Sequence, residues 1–230
     1  MKFFTIVLVI VIIIIGAAWV WQSLTKNQAF RETTGRIFTG VDSMMKLLKD
    51  KKIALIIASR DFRDEEYFFA KQDLEDEGAQ VVTVSSVAGS AMGKEGGEVK
   101  VDVLLKDLKV DDYDAILFIG GPGAYNYFDN PTCHQIAKDA VEKGKVLGAI
   151  CSAPAILAKA GVLDGKKATV WSSNIDKSLV KILQNNGAEY ASGLVVVTDG
   201  RIVTADGPEA THDFARAIIN VFRASSTPNK

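Results

Sequence analysis

Short apolar runs separated by polar, helix-spaced segments recur along residues 53–223. The first run, Ile53-Ala54-Leu55-Ile56-Ile57-Ala58-Ser59, shows no alternation of apolar and polar positions, as expected of a strand covered on both faces. Residues 64–77 have helical spacing, with Tyr67, Phe68, Ala70 and Leu74 apolar, and Gly78 supplies the stop. Residues 81–84 predict a second strand, 85–97 a loop of mostly small residues, and 99–105 an edge strand or hairpin arm. Residues 115–119 form another buried run that ends in Gly120-Gly121-Pro122-Gly123. Asn130-Pro131 opens a helix to about Lys143, because asparagine caps well and proline is tolerated at the first helical position. Residues 146–150 predict a strand, 152–160 a helix, 168–171 a strand and 177–186 a helix. Residues 194–198 and 202–204 flank Asp199-Gly200, a two-residue hairpin signal, and 210–223 predict the last helix. Strands alternating with helices predict an α/β fold with a mainly parallel sheet, helices on both faces and one antiparallel hairpin.

The N-terminal pattern is different. Residues 3–21 are apolar throughout except Thr5. A helix over this run, rising about 1.5 Å per residue, spans roughly the 30 Å hydrocarbon core of a bilayer. Trp19 and Trp21 fall at its far end, where amphipathic rings favour the interface. Residues 1–21 therefore predict a transmembrane anchor or, since Gly16-Ala17-Ala18 offers small residues for cleavage, a secretory signal. Lys2 lies on one side and Lys26, Arg31 and Arg36 on the other, so charge does not decide the orientation. The short tail and signal-like layout favour a single-pass membrane protein with its folded part on the extracytoplasmic side. Residues 22–51 read as a linker, 52–224 as the folded domain and 225–230 as a tail.

With 230 residues, 48% of them hydrophobic, the chain suits one domain and an appendage. A net charge of -1 without a dense Lys/Arg stripe argues against a nucleic-acid partner. Two cysteines, Cys133 and Cys151, are too few for a disulfide scaffold, and their spacing does not suggest zinc. The glycine-rich loop at 120–123 matches neither the P-loop nor the dinucleotide-binding pattern, so no cofactor is implied.

Cys151 stands at a strand-to-helix junction, the thiol version of a nucleophile elbow. Ala149 and Ala153 flank it with side chains small enough for a tight turn. A helix N-terminus beneath the sulfur favours thiolate over thiol; a buried, inert cysteine is the alternative. A thiolate also needs a proton carrier and a place for developing negative charge. Asp61, Asp64, Glu65 and Glu66 follow the first strand, where acids also simply answer a helix dipole. The 120–123 loop is either a plain turn or a set of backbone N–H groups near a substrate oxygen. Cys133 is either a small packed residue or a resolving cysteine.

Residues 58–77, Phe118-Ile119-Gly120-Gly121-Pro122-Gly123 and Gly148-Ala149-Ile150-Cys151-Ser152-Ala153-Pro154 together resemble the ThiJ/PfpI superfamily over about residues 52–223. The resemblance implies a flavodoxin-like fold, with Cys151 at the family's reactive cysteine and Glu66 as the glutamate set against its sulfur. It implies that the backbone N–H groups of Gly121 and Ser152 form the oxyanion pocket. Gly120, Trp171 and Lys94 match positions close to the site. Two departures matter. Ser152 stands where PfpI-type proteases carry histidine, and Trp171 stands where deglycase members of the superfamily carry one; neither His134 nor His212 matches a catalytic position. A Cys–Glu mechanism on a small carbonyl substrate, glyoxalase- or deglycase-like and protective under stress, is the function this implies. A redox sensor or chaperone-like protein acting through oxidation of Cys151 is the alternative, and peptide or amide hydrolysis is disfavoured. The resemblance also implies a homodimer.

Overall fold

The computed structural model describes residues 46–226. Twelve strands are numbered along the described chain: β1 (Lys52–Ile56), β2 (Arg60–Phe62), β3 (Gln80–Ser85), β4 (Ser90–Gly93), β5 (Glu98–Lys100), β6 (Val103–Leu104), β7 (Ala115–Phe118), β8 (Val146–Ile150), β9 (Lys167–Ala168), β10 (Glu189–Tyr190), β11 (Val196–Asp199) and β12 (Ile202–Ala205). The helices are α1 (Asp64–Asp76), α2 (Pro131–Glu142), α3 (Pro154–Lys159), α4 (Ser178–Asn185) and α5 (Thr211–Ser226). Seven strands form the main sheet, in the order β11-β12-β8-β7-β1-β3-β6. All neighbours run parallel except β11, which returns antiparallel to β12 through the Asp199-Gly200 turn. The architecture is the mainly parallel, flavodoxin-like α/β fold expected from the sequence.

Side chains alternate across the central strands and build two cores. Ile53, Leu55, Leu117 and Ile150 pack with Leu74 of α1 and Phe214 of α5. Ala54, Ile56, Phe118 and Ala149 pack with Ile136 of α2, Ile156 of α3 and Leu183 of α4. Leu48 is fully buried in the first core, and its N–H donates to the Glu77 carbonyl at 2.9 Å. Packing thus reaches back into the stretch read as linker. Asn130 caps α2, its Oδ1 accepting from the Thr132 and Cys133 N–H groups at 2.9 and 3.2 Å.

The expected 85–97 loop contains β4, which joins β2 and β5 in a separate three-stranded sheet. The pattern Ser90-Ala91-Met92-Gly93 has no long apolar run to announce it. Its pairing comes from the β2 edge and from Asp64, whose carboxylate accepts the N–H of Glu95 at 2.8 Å and of Gly97 at 2.7 Å. One of the expected helix-dipole acids is therefore the tether of a hairpin.

The membrane localisation expected from the sequence needs correction. No helix among the described residues is long and apolar enough to cross a membrane. The 3–21 run on which the single-pass expectation stood lies outside the described residues, as do residues 22–45 of the expected linker and the tail from 227.

Candidate active site

Three adjacent parallel strands, β1, β7 and β8, release their C-terminal loops on one edge of the sheet. β7 lies between the other two, so the Gly120-Gly121 loop after it separates Cys151 from the start of α1. Cys151 follows β8 directly and adopts φ +61°, a conformation side chains rarely take. Its N–H donates to the Ala205 carbonyl and its carbonyl accepts the Trp171 N–H, both at 2.9 Å. These two bonds fix the turn that presents the sulfur. α3 is short and starts at Pro154, later than the expected helix start at 152.

Glu66 projects from the first turn of α1 and is fully buried. Its Oε2 accepts the Gly120 N–H at 2.9 Å, whereas Oε1 is buried with no partner of normal hydrogen-bond geometry. The Cys151 side chain and this carboxyl group stand against each other beside Gly120, close enough for each to shift the acidity of the other. Burial pushes the Glu66 carboxyl up to about 7, against the opposing pull of Cys151, the Gly120 N–H and the Arg63 guanidinium. Burial also pushes the Cys151 thiol up to about 12, and the neighbouring Glu66 charge adds to that rise. The N–H groups of Gly121 and Ser152 point at the sulfur and pull the other way. This differs from the expected thiolate. The donors expected from the sequence are present, but desolvation outweighs them. The pair is better described as two buried acids; once one proton has left, the remaining proton is shared and the pair carries a single negative charge.

The glycines of the loop are required by contact. A Cβ on Gly120 would stand 2.7 Å from the Cys151 Cβ and 2.8 Å from Glu66 Oε2. Gly121 has φ +101° and ψ 172°, a region essentially reserved for glycine, and a Cβ there would meet the Arg63 nitrogen at 2.5 Å and the Asp61 oxygen at 2.6 Å. Gly121→Ala is expected to lower stability by at least about 2 kcal/mol. A urea denaturation midpoint equal to that of wild type would show that the loop can relax around the methyl group.

A cleft of about 370 Å³ opens at the sulfur, lined by Arg63, Gly121, Pro122, Tyr125, Cys151, Ser152 and Trp171. Cys151 itself is 8% exposed. Ser152 Oγ donates to the Gly121 carbonyl at 3.0 Å and locks the two loops together. Of the residues expected from the sequence, Cys151, Glu66, Gly120, Gly121, Ser152 and Trp171 meet here. Lys94 does not line the cleft; it pairs with Glu95 at 3.6 Å beside the hairpin. Arg63, which sequence reasoning missed, does line it. Its position just before the first helix, next to the acidic run, was the available signal.

The remaining candidates have other roles. Asp61, also at positive φ, does not line the cleft. Glu65 lies 4.0 Å from Arg63. His134 Nε2 bonds the Phe128 carbonyl, and His212 Nδ1 bonds Asp73, each at 2.7 Å and neither in the cleft. Cys133 is fully buried in the core on the opposite face of the sheet from Cys151, and burial pushes its thiol up to about 12. That placement fits packing and not a resolving thiol. Among the described residues, no group of three or more His, Cys, Asp or Glu side chains is arranged to hold a metal ion.

The DJ-1/PfpI family matches residues 51–221 of the chain. Deglycase PfpI of Pyrococcus furiosus is 30% identical over 169 residues, which are 74% of this chain and 98% of that protein. The glutathione-independent glyoxalase DJR-1.2 of Caenorhabditis elegans is 29% identical over 152 residues, 66% of this chain and 78% of that protein. Among solved structures, a ThiJ/PfpI domain protein from Brachyspira murdochii superposes with a TM-score of 0.71 at 31% identity, covering 75% of this chain and 96% of that one.

Proposed function

This chain belongs to the DJ-1/PfpI family, and from that premise we propose that it converts small reactive aldehydes, glyoxalase- or deglycase-like, through Cys151 and Glu66. The observation that carries this reading is the placement of two buried side chains, Cys151 and Glu66, side by side at Gly120, where burial pushes the carboxyl up to about 7. Relatives named deglycase and glyoxalase support it, and protection against reactive carbonyls is the role such an activity would serve.

The chemistry needs only these two residues and water. The Cys151 sulfur forms a bond to the aldehyde carbon of an α-oxoaldehyde. The C=O electron pair moves to oxygen, which takes the proton held by the pair. N–H groups of Gly121 and Ser152 face this centre and stabilise the negative charge as it develops. The Glu66 carboxylate then removes the hydrogen from that carbon as a proton and returns it to the neighbouring carbonyl carbon, while the hydroxyl proton passes from the first oxygen to the neighbouring one. One carbon is oxidised and its neighbour reduced, so no external oxidant is involved. Water cleaves the resulting thioester, giving a 2-hydroxy acid and the free thiol. Proton transfer by a buried carboxyl with acidity near the working pH is the efficient case.

A redox-sensing role for Cys151 finds less support. Oxidation follows thiolate character and exposure, and burial opposes both. Peptide hydrolysis lacks a histidine at the cleft to protonate the leaving amine.

The test is methylglyoxal given to the whole protein, with lactate as the measured product. Lactate is expected from untreated protein and not from protein alkylated at Cys151 by iodoacetamide. Equal output from both samples would reject the assignment.

A further inference from the structure

Of the described residues lining the cleft, Arg63 alone carries a permanent charge. Its Nε–H is buried and has no hydrogen-bond acceptor. Two carboxylates stand nearby, Glu65 at 4.0 Å from Nε and Glu95 at 3.7 Å from Nη1. Both separations exceed hydrogen-bond length; Glu95 is open to solvent, whereas Glu65, though partly exposed, turns a buried and equally unpartnered Oε2 toward Nε. Their charge holds the guanidinium in place without satisfying its donors. A buried donor without an acceptor is costly, and a guanidinium presents a planar fork that matches two carboxylate oxygens. The same cleft carries the nucleophilic sulfur, and Tyr125 and Trp171 give it aromatic surface.

We propose that Arg63 makes this site selective for α-oxoaldehydes that bear a carboxylate, the guanidinium taking the carboxylate while the Cys151 sulfur meets the aldehyde carbon. This deepens the carbonyl chemistry proposed above and rests on it. A cleft of about 370 Å³ also exceeds what a three-carbon dicarbonyl fills, leaving room for a short chain between the reacting end and the charged end. 4,5-Dioxopentanoate is the matching probe. The sulfur adds at C5, the C5 hydrogen moves to C4 as a proton, and water releases 2-hydroxyglutarate. C5 is oxidised, C4 is reduced, and one water is consumed.

The experiment compares kcat/KM for 4,5-dioxopentanoate and for methylglyoxal in the full chain and in Arg63→Met and Arg63→Lys. The wild-type ratio is expected to favour the anionic probe by about tenfold or more, the usual scale of a hydrogen bond to a charged group. Arg63→Met should bring the ratio near one, and Arg63→Lys, which keeps charge without the fork, should fall between. A ratio unmoved by Arg63→Met overturns the assignment. A second arm needs no turnover: the rate of Cys151 alkylation by iodoacetate relative to iodoacetamide. Arg63→Met should lower that ratio about tenfold. Were methylglyoxal and 4,5-dioxopentanoate both inert with wild type, the proposed aldehyde chemistry would fall, and the alkylation ratio would still decide whether Arg63 recruits anions to the sulfur.

Discussion

Glu66→Gln is expected to cut methylglyoxal turnover by about 10²–10⁴-fold, the scale of lost acid–base catalysis, while making the fold more stable above neutral pH. In the folded protein burial holds the Glu66 carboxyl at about 7, against 4.5 for an ordinary glutamate. Between those values the folded state keeps a proton that the unfolded chain has released. Stability from this group is therefore full below about pH 4.5 and lost as the pH rises through about 7. The span corresponds to roughly 3 kcal/mol. Glutamine has no such proton to lose, and its oxygen can still accept the Gly120 N–H. The variant's advantage should thus be near zero at about pH 4 and approach roughly 3 kcal/mol at about pH 8. Urea denaturation at both pH values measures it, and an advantage of the same size at each would show that the carboxyl is not titrating in the interior. Wild-type turnover should rise with pH through about 7, because the singly protonated pair is the working form wherever its proton sits.

Cys151→Ala has the second large effect. Turnover should fall to background, by at least about 10³-fold, as for the loss of other nucleophiles. The same change should move Glu66 further from ordinary acidity. The thiol contact favours the ionised carboxyl, so its removal leaves burial less opposed. The carboxyl infrared band, followed against pH, should therefore titrate above the wild-type midpoint of about 7. A midpoint at or below the wild-type value would mean that sulfur and carboxyl do not communicate. Turnover and titration together separate loss of the nucleophile from general damage, which would open the site to water and return Glu66 toward 4.5.

The elbow and its neighbours were legible because they depend on local rules. Unbroken apolar runs announced β1, β7 and β8, a capping asparagine announced α2, and the Gly120-Gly121 pair marked a loop pressed against its surroundings. The order of those elements brought Cys151 and Glu66 to one edge of the sheet. What the residue pattern did not carry was desolvation. Whether a sulfur above a strand end becomes more or less acidic depends on how much of the fold closes over it, and here closure outweighs the N–H groups of Gly121 and Ser152. β4 was missed for a related reason, since its edge is paired by β2 and braced by Asp64 instead of being driven by its own apolar side chains. Arg63 was passed over because its place before an acidic helix start is a weak signal, shared by many surface arginines; only the folded cleft shows what it faces.

The three consecutive acids Asp64, Glu65 and Glu66 divide their work: the first holds the 95–97 loop, the second stands by Arg63, and the third meets the sulfur. Because the first and third share one rigid turn of α1, the distant hairpin acts as a lever on the reactive centre. Lengthening or shortening the 94–97 segment would tilt that turn and retune the proton's position without altering any cleft residue, which gives a route by which chains of this shape diverge in reactivity through changes made well outside their pockets.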